Sequence, residues 1–155
     1  MKKRNVLGLV IILIGMLFIS GCGKKVEHIE GTLEEIMTKM YEGISEEELP
    51  MMLSNIEINA ENIENFLGTK DLSYETALAS ESMVGAIAHS VVLIRMKSDA
   101  DIEQAKNTIK EKVNPRKWIC VEAENVIVEN KGDLIILIMS GENALKIETN
   151  FKNLK

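Results

Sequence analysis

Apolar residues recur at helical spacing from Leu33 through Ile36, Met37, Met40, Tyr41 and Ile44, and Thr32 followed by Glu35 forms a capping box just ahead of them. This pattern predicts a first helix, broken by the acidic run Glu46-Glu47-Glu48 before Pro50. Asn59 is placed to cap a second, short helix whose apolar side is Ile63, Phe66 and Leu67 and whose end is Gly68. The chain between the two reads as loop or extended. From Leu72 the period changes. Residues 74–80 alternate bulky and small side chains as an edge strand would, and Val91-Val92-Leu93-Ile94 is an unbroken β-branched and aliphatic run in a strand over 90–96. A hairpin turning near 83–85 joins them. Asp99 then predicts a capped helix reaching Val113, with Ile102, Ala105, Ile109 and Val113 along one side and Asn114-Pro115 to stop it. Two more strands, within 118–129 and over 134–139, connect through Asn130-Lys131-Gly132-Asp133, where Gly132 can take positive φ. Ser140 stands where it would cap a last helix that buries Leu145, Ile147, Phe151 and Leu154, only partly in phase.

These elements predict an α+β fold: a ββαββα core with an antiparallel sheet of about four strands and packed helices, preceded by two N-terminal helices, all in one domain over 32–155. Leu134-Ile135-Ile136-Leu137-Ile138-Met139 is apolar at every position. Successive strand residues face opposite sides, so this strand and the one at Val91 should be buried on both faces. The N-terminal helices are the first candidate to cover the second face, and a second copy of the chain, forming a homodimer, is the alternative.

Ahead of the domain, Lys2, Lys3 and Arg4 precede a 14-residue apolar run over 6–19 that ends in Ile19-Ser20-Gly21-Cys22. A cationic start, a short apolar stretch and small residues at its end mark a secretory signal peptide, and the run is short for a membrane span. The last four residues resemble the lipobox of bacterial lipoproteins, in which a branched apolar residue and two small ones precede a lipidated cysteine. The resemblance implies that residues 1–21 are removed, that Cys22 carries a diacylglycerol thioether in the membrane lipid, and that the protein is exported and held at the outer face of the cytoplasmic membrane. Two acyl chains are what stable anchoring requires. Residues 22–31 then form a tether which, at roughly 3.3 Å per residue, keeps the domain within about 30 Å of the bilayer. Lys24 and Lys25 follow the lipid, where they either meet anionic headgroups that attract them or simply keep the junction soluble.

Charge narrows the partners. With the three cations of the signal segment gone, 15 Lys and Arg face 24 Asp and Glu, a net charge of about −9. Such a field repels phosphate backbones, which argues against nucleic acid. With Cys22 lipidated, Cys120 is left alone, and its setting in Trp118-Ile119-Cys120-Val121 predicts a small buried hydrophobe. No G-x-S-x-G, S-x-x-K, HExxH or CxxC occurs, and the two histidines are His28 in the tether and His89 at a strand edge. Asp99-Ala100-Asp101-Ile102-Glu103 begins like a calcium loop, but Gln104 and Lys110 stand where the glycine and the bidentate glutamate belong; acids at a helix start serve its dipole. Glu122 and Glu124, two apart on a strand, would share a solvated face. No cofactor, metal ligand or catalytic residue is therefore assigned, and the chain reads as a non-enzyme. Met37, Met40, Met51 and Met52 fit either core filling or an adaptable groove for a partner.

The helix from Asp99, Ala123-Glu124-Asn125-Val126-Ile127-Val128, the Lys131-Gly132-Asp133 turn, the apolar strand ending at Ser140 and the closing helix together resemble a family of small lipoproteins of Gram-positive bacteria known as a domain of unknown function. The resemblance spans about residues 60–154 and implies fold and location, not site residues. The function expected is a non-catalytic interaction module for another envelope or membrane protein; the alternative is an accessory lipoprotein that captures a small solute. Labelled fatty acid should enter the wild-type protein and not Cys22→Ser, which should keep its leader on an anti-protein blot.

Overall fold

The computed structural model describes residues 26–155; the signal segment 1–21, Cys22, Lys24 and Lys25 lie outside the described residues. The elements in order are α1 (Leu33–Met40), β1 (Leu53–Glu57), α2 (Ile63–Leu67), β2 (Tyr74–Ser82), β3 (Ser90–Met96), α3 (Ile102–Lys112), β4 (Asn125–Lys131), β5 (Leu134–Ser140) and α4 (Ala144–Lys152). The five strands form one antiparallel sheet in the order β1-β2-β3-β5-β4. Among the described residues no helix is long and apolar enough to cross a membrane.

Every residue of β3 and β5 is buried. Val91, Leu93, Leu134, Ile136 and Ile138 pack in one layer with α1 and α4, while Val92, Ile94, Ile135, Leu137 and Met139 pack in the other with α2 and α3. The domain is thus a helix–sheet–helix sandwich. Each fully buried aliphatic side chain contributes about 1.5–3 kcal/mol, so these two strands carry much of the burial that holds the layers together. The unbroken apolar runs are read correctly as strands buried on both faces. Their cover differs in detail: α1 lies on the second face beside α4, whereas the other N-terminal helix, α2, joins α3 on the first.

Local signals explain where the helices begin. Thr32 and Glu35 make the expected reciprocal capping box at α1. The cap of α3 is Asp101, whose carboxylate accepts from Gln104 N–H at 2.9 Å, rather than Asp99. At α2 the N-cap is Asn62, with Asn59 one turn earlier accepting from Glu61 N–H. Gly68 closes α2 at φ +71 and permits a close approach, since a Cβ there would come within 2.0 Å of Lys112 O.

Several expectations are corrected. The sheet has five strands rather than about four, because residues 53–57, read as loop or extended chain, form β1. That addition turns β2 from an edge strand into an interior one. Residues 118–124 are not strand, and Cys120 is exposed in a loop at φ +63. Ser140 ends β5; α4 starts after Asn143, whose side chain makes no capping bond. Leu145 points outward from α4, 64 % exposed.

Residues 27–31, expected in the tether, are packed on the β4–β5 turn. Asp133 N–H donates to Glu27 O, Ile29 N–H donates to the Asp133 carboxylate, and Ile29 itself is buried. Gly132, at φ +52 as its turn position predicts, leaves room for Glu27 O where a Cβ would come within 2.3 Å.

Because Ile136 sits between apolar layers, Ile136→Asp should abolish the cooperative urea transition, an unpaired buried charge costing several kcal/mol. Leu145→Asp should shift the same transition by no more than about 0.5 kcal/mol.

Candidate functional site

The strand directions give the sheet two unlike ends. At one, Met96 and Leu134 meet the β4–β5 turn, and here the N-terminal segment is clamped. Arg95, largely buried at the end of β3, donates to Asp133 Oδ2 at 2.6 Å and to Gly31 O at 2.9 Å, and His28 Nδ1 lies 2.6 Å from the same carboxylate oxygen. Burial alone would raise the Asp133 pKa; the bonds from Ile29 N–H, Arg95 and His28 outweigh it and hold the carboxyl below its usual range.

At the other end, six residues along β5 and about 20 Å away, the strands terminate in Ser82, Ser90 and Ser140. The β2–β3 loop (83–89), the α3–β4 loop (113–124) and the chain entering β1 come together there. Met83 N–H donates to Met52 O, Ser82 Oγ to Met51 O, and Ile119 N–H to Gly85 O. These bonds gather four exposed apolar side chains, Met51 (68 %), Met52 (67 %), Met83 (58 %) and Ile119 (73 %). Met52, at φ +55, and Cys120 are the non-glycine residues with positive φ among the described residues. Each such turn costs roughly 1–2 kcal/mol, so the loops hold this arrangement against local preference.

Between these loops and α2 lies a cleft of about 630 Å³, walled by Ile56, Phe66, Met83, Trp118 and Ile119 with Glu64, Asn65 and Asn114 at its polar side. Lys117 also lines it. Its ammonium donates to Glu81 at 2.8 Å and Ser90 Oγ at 3.2 Å, and stands 4.5 Å from the Phe66 ring centroid and 5.2 Å from that of Trp118. Burial lowers the Lys117 pKa, opposed by the hydrogen bond and charge of Glu81. The Trp118 indole N–H is shielded and has no hydrogen-bond partner among the described residues, a cost of about 1–3 kcal/mol.

A serine beside a lysine suggests nucleophilic chemistry. Here Ser90 is fully buried and does not line the cleft, and the Lys117 ammonium is shared between Ser90 Oγ and the Glu81 carboxylate. The arrangement suits binding: an apolar slot, a charge-balanced Lys–Glu pair and an adaptable methionine rim.

No family model, curated protein or solved structure matches this chain.

The residues singled out in the sequence are dispersed. Met37 and Met40 are buried beneath α1, while Met51 and Met52 are on the rim, so the methionine group divides into core and surface. Glu122 lies 3.6 Å from Arg116 and Glu124 lies near Gly141, both in a loop rather than on a shared strand face. Asp99 is exposed and Asp101 caps α3. His89 is not a strand-edge residue: it is 1 % exposed, with Nε2 2.9 Å from Tyr41 Oη and Nδ1 2.8 Å from Ser140 Oγ, and Tyr41 Oη also donates to Ser80 Oγ at 2.9 Å. A neutral imidazole has one donor and one acceptor nitrogen, and these contacts use both. The Lys117–Glu81–Ser90 contact and the Arg95–Asp133 clamp join residues 27–38 apart in sequence, with no motif linking them.

Burial lowers the His89 pKa from 6.5 to about 4 and raises that of Tyr41 to about 12, the latter moderated by its bond to Ser80. The unfolded chain therefore binds a proton at His89 that the folded chain refuses between these two values. Stability from this group is complete above about pH 6.5 and lost as pH falls towards 4, by about 3 kcal/mol. Urea unfolding at pH 7 and pH 4.5 should show that decline in the wild type and a shallower one in His89→Gln.

Proposed function

We propose that the protein is a non-catalytic lipoprotein, anchored through Cys22 at the outer face of the cytoplasmic membrane, whose domain binds another envelope or membrane protein. The lipobox-like sequence at Ile19-Ser20-Gly21-Cys22 supports both the anchor and the location. The observation that carries the binding reading is the separation of the two sheet ends. The chain is clamped at one end by Arg95 and Asp133, and the exposed Met51, Met52, Met83 and Ile119 are gathered at the other. With residues 27–31 packed down, only the few residues between Cys22 and Glu27 are left to span from lipid to domain, at most about 18 Å. An apolar rim directed away from the anchor serves a protein surface better than a bilayer.

Capture of a small solute is the second reading. It is favoured by the cleft, whose 630 Å³ falls within the usual range for small ligands.

A photo-crosslinking amino acid replacing Met83 in cells should yield one dominant polypeptide adduct, and the same group replacing the exposed Glu111 should not. Combined Met51→Lys and Met52→Lys substitutions should remove the adduct without changing the thermal melt. Met37→Lys is no substitute, because Met37 is 2 % exposed and the change would unfold the domain. If position 83 yields no polypeptide adduct and the purified protein binds a solute at micromolar affinity, solute capture replaces partner binding.

A further inference from the structure

The two edges of the sheet are not alike. β4 has α3 packed on one side and α4 on the other, whereas β1 has β2 as its principal neighbour. In the β1–β2 register Leu53 faces Ser82 and Glu57 faces Leu78. Met83 N–H donates to Met52 O before the strand, and Ile58 N–H donates to Ala77 O after it. Antiparallel pairs alternate between bonded and non-bonded, so residues 52, 54, 56 and 58 turn their backbone groups towards β2. Leu53, Asn55 and Glu57 turn theirs outward. Of these outward groups Glu57 O is satisfied by the Asn62 side-chain amide at 3.0 Å. The N–H and C=O of Leu53 and Asn55 and the N–H of Glu57 make no hydrogen bond among the described residues. The strand carries no proline or lysine, the usual guards of an exposed edge.

The chemistry around this edge selects an occupant. Between Lys39 and Lys70 the chain has seven glutamates, Glu42, Glu46, Glu47, Glu48, Glu57, Glu61 and Glu64, and no lysine or arginine. Only Glu64 among them forms an ion pair within the described residues, with Lys70. Pairing β1 with β1 of a second copy would set two acidic segments against each other, which is unfavourable. A cationic strand is complementary. The same edge borders the apolar cleft, because Ile56 lines it beside Phe66. A residue added opposite Ile56 would lie on that face of the sheet.

We propose that the β1 edge takes an extended, basic segment of the partner protein as a sixth strand, with one apolar side chain seated in the cleft beside Ile56 and Phe66. This deepens, and rests on, the reading that the domain binds a protein. Backbone bonds to Leu53, Asn55 and Glu57 hold the segment, the acids speed its arrival, and the cleft selects its register.

The test uses the lipidated full-length protein in nanodiscs of zwitterionic lipid and an end-blocked heptapeptide of alternating lysine and valine. Trp118, the single tryptophan of the chain, borders the cleft and reports its occupation by fluorescence. The peptide should shift Trp118 emission saturably and slow amide exchange at Leu53, Asn55 and Glu57. Raising salt from 50 to 300 mM should weaken binding about tenfold. The glutamate–valine counterpart, and a lysine–valine peptide N-methylated at alternate residues, should not bind. Asn55→Pro removes an outward N–H and leaves the β1–β2 bonds intact, so it should abolish binding with an unchanged melt; the N-methylated peptide makes the same test on unaltered protein. No binding, equal binding of the N-methylated peptide, or binding without protection of the three amides overturns strand addition. So does protection that appears only with concentration-dependent dimerisation, which assigns the edge to a second copy. A position-83 adduct that persists while the peptides fail overturns this proposal alone; loss of that adduct overturns the partner-binding reading itself.

Discussion

The two-sided burial of β3 and β5 is the constraint on which the rest of the molecule depends. Their side chains alternate between faces and are apolar on both, so the sheet needs a helical layer on each side. α4 covers part of the second face and α1 completes it, which requires the chain before the sheet to return across it. That return brings Tyr41 over Ser80, His89 and Ser140, and it brings residues 27–31 onto the β4–β5 turn. Arg95 illustrates the coupling: it lies next to last in β3, after the apolar run Val91–Ile94, and its charge is tolerated there because Asp133 and Gly31 O accept from it.

The polar groups are sorted by the same geometry. The middles of β3 and β5 are apolar, and buried serine hydroxyls gather towards one end of the sheet, at Ser80, Ser82, Ser90 and Ser140. His89 and Lys117 are consequently buried at this end, one neutral between two hydroxyls and the other beside Glu81. The loops above them hold Met52 and Cys120 in left-handed conformations, and the apolar side chains displaced from the core appear on their outside. A clamp on the N-terminal segment at one end and an apolar cleft at the other are thus consequences of one strand polarity.

In the proposed partner contact two different forces combine at the cleft end of the sheet. The methionine rim and the cleft offer apolar contact, which is adaptable but not selective. The open backbone of β1 offers directional bonds, and the acids on either side of it favour a cationic occupant while opposing self-association. The Lys117–Glu81 pair is internally balanced, so the cleft floor adds little net charge to that choice.

Elements whose signals are local can be read from the chain alone. The Thr32–Glu35 box, the 3.6-residue spacing of α1 and α3, Gly132 in its turn and the apolar runs of β3 and β5 were all legible, because each depends on near neighbours. β1 was not: Leu-Ser-Asn-Ile-Glu has no clear alternation, and it is a strand because β2 offers it hydrogen bonds. Cys120 and Leu145 were misread since an apolar neighbourhood in sequence does not establish which way a loop or helix turns its side chains. Met37 and Met51 share a side chain and differ in fate because α1 lies on the sheet and the chain entering β1 does not. The cleft, the clamp and the buried histidine depend on long-range packing, because each is made of residues brought together by strand order, and strand order is not written in any local pattern.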